Sequence, residues 1–193
     1  MTSPSQAPLK GLRVVDLSRV LAGPYCTMVL ADLGADVVKV ERPGEGDETR
    51  GWGPPYAGGE SAYYLSINRS KRSCALDLKD ERARELAVEL CVRADVVIEN
   101  FRAGAADALG LGFEALRGRN ARLVYCSITG FGNARTPAGR PGYDFIAQAE
   151  SGLMAITGSE EPTKVGVAIV DVLAGLHAAA GILAALRAGG PAR

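Results

Sequence analysis

The chain has 193 residues, 47% of them hydrophobic and 23% charged, so it can bury one full core and lacks the composition of a disordered segment. Its 22 basic residues are matched by 22 acidic ones. That excludes the broad positive footprint of a nucleic-acid binder or a polybasic membrane anchor and leaves room only for a local basic pocket.

The four cysteines, Cys26, Cys74, Cys91 and Cys126, form no C-x-x-C pair, and His177 is the single histidine. No metal site is expected, and the cysteines read as reduced core residues of a cytoplasmic protein. Residues 1–8 are expected to be a flexible N-terminus; the opening stretch has no apolar core of the kind a signal peptide needs.

"LRVVDLS" (12–18) is a β-branched run and predicts a strand. A helix is expected over 23–35, opened by Gly23-Pro24 and stopped by Gly34, and a second strand over "DVVKVER" (36–42). Strand, helix and strand in so short a span make a βαβ unit with parallel strands. Residues 43–64 are rich in Gly and Pro and predict a long, functional loop without long regular elements. The alternation resumes with a strand at 73–78 and a helix at 80–94, whose apolar face is Ala83, Leu86, Ala87, Leu90 and Ala94. A strand at 95–101, short helical pieces over 103–118 and a strand at 122–130 come next. A second Gly/Pro loop covers 130–142 and a helix 143–158. The run from Val165 to Leu186 has no Lys or Arg; its Val/Ile-rich start and Ala/Gly/Leu-rich remainder suit a strand passing into a buried helix. Asp171 and His177 within it argue against a membrane span. The sum is an α/β fold: an open, mostly parallel, Rossmann-like sheet with helices on both faces.

In such a sheet, ligands sit beyond the carboxyl ends of the strands. "SRVLAGP" after the first strand has no G-x-G-x-x-G fingerprint, yet the N–H groups of the helix it opens could cradle a phosphate. After the second strand, Glu41 loosely suits a ribose and Arg42 a phosphate. Arg69, Lys71, Arg72 and Lys79 form a cluster that is either a solvated face or a neutralising surface for a polyanion. Asn100 and Phe101 stand where a nucleotide could be hydrogen-bonded and stacked. Asp171 lies where strand meets helix, a favoured N-cap position; catalysis is the other reading. His177, six residues on, lies on another helical face. No Ser-His-Asp order or G-x-S-x-G elbow is present.

Together, "GLRVVDLSRVLAGPYCTMVLADLGADVVKVERPGEGDETRGWGPP", "NRSKRSCALDLK", "DVVIENFRAGAADALGLG", "LVYCSITGFG", "GYDFIAQAESGLMAITG" and the Asp of "AIVDVLAG" resemble the class III CoA-transferases, from about Leu9 to Arg187. The resemblance implies a CoA-binding Rossmann-like domain over 9–187, with 188–193 as a tail, and a homodimer of interlocked subunits. It places CoA contacts on Val20, Leu21 and Ala22, on Arg42, on Leu76 and Lys79, and on Asn100 and Phe101. It puts the catalytic aspartate at Asp171. Implied substrates are an acyl-CoA and a carboxylic acid, with no metal. The implied chemistry is CoA transfer through an aspartyl anhydride and an aspartyl-CoA thioester.

Three departures stand out. Ala108 occupies the place of a second CoA-binding arginine of some members, for which Arg102 or Arg140 could substitute. Tyr143 stands where the related 2-methylacyl-CoA racemases carry a histidine, and racemisation needs acid/base groups on both faces of the α-carbon; Asp144 beside it is a secondary site candidate. The family's glycine-rich loop, small domain and returning C-terminal helix have no counterpart, so the sequence is expected to be a fragment or one half of a split protein, completed by a C-terminal half. A racemase-like epimerase and a non-catalytic CoA-binding or dimerising fragment are the alternatives.

Overall fold

The computed structural model describes residues 7–132, 140 and 142–189. Five parallel strands form the sheet: β1 (Arg13–Asp16), β2 (Asp36–Glu41), β5 (Arg72–Ala75), β6 (Val96–Glu99) and β7 (Val124–Ser127), in the order β5-β2-β1-β6-β7. The short strands β3 (Tyr56–Ala57) and β4 (Glu60–Ser61) pair apart from it as a small antiparallel hairpin. The expected parallel βαβ unit is present, with Val15 registered against Val38 of β2 and Val97 of β6. Order reverses between β1 and β6, and such a switch point opens a crevice at the carboxyl edge of a doubly wound sheet.

Alternation along the strands sends side chains to two cores. Val14, Val37, Val96 and Ile98 pack with Cys26 and Leu30 of α1 (Ala22–Asp32) and with Ala179 and Ile182 of α8 (Ile169–Ala188). On the other face Val15, Val40 and Val97 meet Ala87 and Cys91 of α3 (Glu81–Val92) and Phe113 and Leu116 of α5 (Phe113–Arg117). Helices therefore cover both faces, as the strand–helix alternation demanded.

Several local expectations are corrected. The Gly/Pro segment is not loop throughout: it contains a 3-10 turn at Glu48–Gly51 and the β3–β4 hairpin, and it leads into α2 (Ala62–Asn68). The inner face of α3 runs through Ala87 and Cys91, while Leu86 points outward, 58% exposed. The helix expected over 143–158 divides into α6 (Asp144–Glu150) and α7 (Leu153–Thr157), because Gly152 takes a left-handed φ of 79° between them. The short helical pieces are α4 (Ala105–Ala108) and α5. Of the second Gly/Pro loop, 133–139 and 141 lie outside the described residues, as do 1–6 and 190–193 of the expected termini.

No strand precedes α8; residues 165–168 are irregular and the helix begins at Ile169. Nor is α8 buried all round. Gly175, Ala179 and Ile182 are covered, but Leu173 and Leu176 are exposed. It is long and apolar enough to cross a membrane by length and composition, yet its covered stripe belongs to the core. The closest approach is at Gly175, where a Cβ would stand 2.6 Å from Ala22 O and 3.2 Å from Tyr25 Cβ. Only glycine lets the backbones of α1 and α8 meet this closely. Gly175→Ala is therefore expected to cost about 1–3 kcal/mol through overpacking. Gly181→Ala, on the same helix with nothing within 4 Å of the added atom, should gain about 0.5–1 kcal/mol from helix propensity. Urea unfolding of the two variants checks the contrast.

Candidate active site

The carboxyl ends of β1 and β2 carry charge where covered parallel strands normally carry apolar residues. Alternation puts Asp16, Lys39 and Glu41 on the α1 face of the sheet, all three buried. Asp16 accepts from the Ser18 N–H (2.9 Å) and hydroxyl (2.5 Å), from Thr27 Oγ1 of α1 (2.5 Å) and from Lys71 Nζ (3.2 Å). Burial alone would raise its carboxyl, but Lys71, Lys39 and the two hydroxyls outweigh burial and hold it at about 2. Lys71 also donates to Pro24 O and Asn68 Oδ1; burial drives it down to about 8 against the pull of Asp16. Lys71 is thus a core residue. Arg69 and Arg72 pair with Asp32 and Asp36, which leaves Lys79 as the cluster's one side chain without an ion pair among the described residues.

A second pair fastens the Gly/Pro segment. Lys39 Nζ lies 2.9 Å from Asp47 Oδ2 and donates to Ser18 O at 2.8 Å, with the two side chains 1% and 0% exposed. Asp47 also accepts from Thr49 N and Oγ1, capping the 3-10 turn, and from Val20 N at 3.3 Å. Glu41 accepts two bonds from Arg50 (2.8 and 2.9 Å), one each from the Tyr64 and Ser73 hydroxyls, and the Asp47 N–H. Burial pushes Glu41 up, and these donors, Arg50 foremost, overcome it and hold it at about 2. So engaged, Glu41 has no freedom to serve a ribose.

Above this layer a cleft of about 410 Å³ opens at the sheet's carboxyl edge. It brings together five of the sequence candidates, Glu41, Arg42, Leu76, Lys79 and Phe101, and adds Arg19, Asp77 and Leu109. Among the described residues Arg42 is paired only with exposed Glu45, a contact of little strength. The side chains of Arg19 and Lys79 make no hydrogen bond among the described residues. Three cations flanked by apolar Leu76, Phe101 and Leu109 suit an anionic group attached to a flat ring.

The other candidates lie around this cleft. Asn100 closes the switch point, accepting from Arg19 N (2.9 Å) and donating to Arg19 O (2.7 Å), so it shapes the crevice rather than lining it. Arg102 lines a neighbouring cavity of about 230 Å³, which shares Phe101 as a wall with the cleft. Arg140 is turned elsewhere, stacked on Phe131 and paired with Glu150. Tyr143 is exposed immediately before α6. Val20, Leu21 and Ala22 form the entry to α1. Val20 has φ 69°, a strained value for a β-branched residue, fixed by its bond to Asp47. Among the described residues no side chain caps the start of α1, so its first N–H groups keep their capacity to bind an acceptor.

Asp171 sits in the first turn of α8, one turn before Gly175 on the same side of the helix. It is not the N-cap expected from its position; that residue is Ala168, without a side-chain cap bond. Asp144 of α6 takes over the role: its Oδ1 accepts from Val170 N (2.8 Å) and Asp171 N (3.3 Å). Asp171 is half-buried. Burial first, and then the Asp144 charge, raise its carboxyl to about 6. Tyr63 of α2 shares this corner; burial and then the charges of Asp171, Asp47 and Asp144 push its hydroxyl up to about 12. The contact of Gly175 with Ala22 and the joint action of Asp171 and Asp47 on Tyr63 set Asp171 beside the start of α1. Asp171 does not line the 410 Å³ cleft. His177 is exposed, with Nδ1 2.8 Å from Leu173 O.

The family model described as CoA-transferase family III matches residues 9–191. The chain belongs to CoA-transferase family III. Among curated members it is 50% identical over 181 residues to the human succinyl-CoA:glutarate CoA-transferase, covering 93% of this chain and 41% of that protein. It is 52% identical over 189 residues to the succinyl-CoA:mesaconate CoA-transferase of Haloarcula hispanica, covering 92% and 47%. A crystal structure of a CAIB/BAIF family protein from Brucella suis superposes with a TM-score of 0.91 at 48% identity, covering 97% of this chain and 52% of that one. The chain spans about half the length of the curated relatives it matches.

In this family III chain, sequence reading missed Lys39, Asp47, Tyr63 and Gln148. A lysine in the middle of "DVVKVER" is the signal that could have exposed the first, because a parallel strand covered on both faces has no solvated side for it.

Lys39→Met should lose about 3–5 kcal/mol, because it leaves Asp47 buried without its partner. The double variant Lys39→Met/Asp47→Leu should recover part of that loss, as urea unfolding would show. Stability should also depend on pH in two opposed ways. Asp16 and Glu41 are held below their unfolded values of about 4, so their contribution is full above about pH 4 and is lost as pH falls toward 2. Asp171 is raised to about 6, so its contribution is full below about pH 4 and is lost as pH rises through 6. The urea midpoint should peak between about pH 4 and 5, and Asp171→Asn should flatten the decline on the alkaline side, leaving the share of Glu99, whose carboxyl burial also raises.

Proposed function

We propose that the whole protein to which this chain corresponds transfers CoA between carboxylic acids, with Asp171 as the nucleophile. The observation that carries this reading is a half-buried, ionisable carboxylate in a family III chain, fixed by a backbone-to-backbone helix contact beside an uncapped helix start. At neutral pH a carboxyl titrating near 6 is mostly ionised, yet more basic than an ordinary aspartate, which suits a nucleophile.

An Asp171 oxygen attacks the thioester carbonyl; the new C–O bond forms as the C–S bond breaks, and CoA leaves as thiolate. That thiolate attacks the Asp171 carbonyl of the anhydride, freeing the donor acid and leaving an aspartyl-CoA thioester. The acceptor carboxylate then runs the same two steps in reverse order. Val20, Leu21 and Ala22 lead the chain from the cleft edge to Asp171, and the free N–H groups of α1 can hold carbonyl oxygen or phosphate there. Arg42, Lys79 and Arg19 would hold the nucleotide phosphates, with Phe101 and Leu76 against the base. Asn100 keeps the crevice open, and Arg102 is the nearest replacement for the arginine that Ala108 lacks. Burial around Asp171 would keep water from the anhydride.

The relatives are named for succinyl, glutarate, mesaconate and oxalate substrates. Dicarboxylic acids are accordingly the proposed donor and acceptor class. Exposed Leu173, Leu176, Phe145 and Val167 support a partner over α8, either the C-terminal half of the polypeptide or a second subunit in an interlocked homodimer. Four free cysteines suit the reducing cytoplasm.

Calorimetry should show CoA binding to the cleft, weakened on the order of tenfold by Lys79→Ala or Arg42→Ala. With succinyl-CoA, and a complementing C-terminal half added, Asp171 should acquire a hydroxylamine-sensitive adduct. Asp171→Asn should bind CoA and form none. CoA exchange at the parental rate in Asp171→Asn would refute the mechanism, and binding without exchange in the parent would mark a non-catalytic CoA-binding domain.

A further inference from the structure

The first turn of α8 depends on a residue outside the helix. Asp144 Oδ1 receives Val170 N at 2.8 Å and Asp171 N at 3.3 Å, while Oδ2 receives Gln148 Nε2 at 2.6 Å. Gln148 is fully buried, and its Oε1 accepts from Val165 N at 2.8 Å. With Gln148 Nε2 also donating to Val167 O at 3.3 Å, one carboxylate and one amide tie the segment entering α8 to α6 at four points, and the carboxylate cannot swing away from Asp171. A negative charge at a helix start is favoured by the aligned peptide dipoles. Two carboxylates side by side oppose one another.

We propose that Asp144 is a positioning residue for the transfer reaction: it caps the helix that carries Asp171, and its fixed charge makes ionised Asp171 costly in a way that acylation relieves. The proposal rests on Asp171 being the nucleophile. When an Asp171 oxygen bonds to the acyl carbon and the C–S bond breaks, the negative charge departs with the thiolate. Anhydride and thioester are both neutral at Asp171, so Asp144 raises the resting state relative to both covalent states.

The surroundings offer little to offset the repulsion. Asp144 of α6 holds the Asp171 N–H, and Tyr63 of α2 lies within reach of the Asp171, Asp47 and Asp144 charges. From α1 come the Ala22 carbonyl and Tyr25, both at Gly175. Among the described residues no lysine or arginine acts on Asp171, whose titration is raised by burial and then by Asp144.

The test is titration of the Asp171 carboxyl by carbon NMR in this chain, without CoA, together with amide exchange at Val170. Asp144→Asn retains an acceptor oxygen for the helix but removes the charge. Its amide nitrogen would face Gln148 Nε2, so Asp144→Ala accompanies it. In both variants the Asp171 midpoint should fall by about one pH unit. Exchange at Val170 should accelerate in Asp144→Ala more than in Asp144→Asn. In the complemented enzyme, the trapped acyl adduct at a fixed succinyl-CoA to CoA ratio should fall by up to about tenfold in Asp144→Asn. An unmoved midpoint in both variants would overturn the charge coupling, and unchanged Val170 exchange in Asp144→Ala would overturn the cap. Neither readout requires CoA chemistry, so their failure is separable from failure of the nucleophile assignment.

Discussion

The buried pair of Lys39 and Asp47 is the constraint on which the rest of the site depends. An ion pair this deep is expensive to desolvate and is kept only where geometry and further hydrogen bonds compensate. Here they do: the ammonium also reaches Ser18 O, and the carboxylate takes the Thr49 and Val20 donors. One interaction therefore joins the end of β1, the middle of β2, the Gly/Pro segment and the entry to α1. It also holds Val20 in a backbone region that a β-branched residue avoids.

The carboxyl edge is thereby divided into two zones. On one side the cleft gathers Arg19, Arg42 and Lys79, cations not committed to the core. On the other, Asp171, Asp144 and Tyr63 form a corner where anions and burial reinforce each other and raise the titration of Asp171 and Tyr63. The start of α1 runs between the zones. The arrangement suits a ligand that is anionic at one end and brings a neutral, electrophilic carbonyl to the other, as an acyl-CoA does.

The βαβ unit, the parallel sheet and the two-sided covering were legible because β-branched runs of about strand length alternated with helix signals. Arg42 and Phe101 were legible because positions after parallel strands converge on one edge, Lys79 as a member of a cation cluster around a strand, and Leu76 only through the resemblance. Only the resemblance gave Asp171 the nucleophile's role proposed above; position alone made it a cap. That reading failed because the cap comes from Asp144, 27 residues earlier, and no local pattern encodes so distant a bond. Lys71 was grouped with surface cations because its partner Asp16 is 55 residues away. Of the face expected for α3, Ala87 and Ala94 are buried and Leu90 packs on the core, but Leu86 looks apolar in sequence yet lies off the stripe that Ala87 and Cys91 bury. The Gly/Pro segment looked unstructured because side-chain bonds to Glu41 and Asp47, not backbone periodicity, order it.

The contact at Gly175 has a meaning beyond packing. The place of Asp171 is written in main-chain atoms: the α8 backbone rests on the Ala22 carbonyl, and Asp171 is set by helical geometry one turn away. Side chains around the corner, such as Tyr63 and the Trp52 ring that packs on it, could then be exchanged by evolution or by an engineer while the Asp171 carboxylate keeps its address. Specificity and chemistry become separately editable, and a single missing methyl group is what keeps them apart.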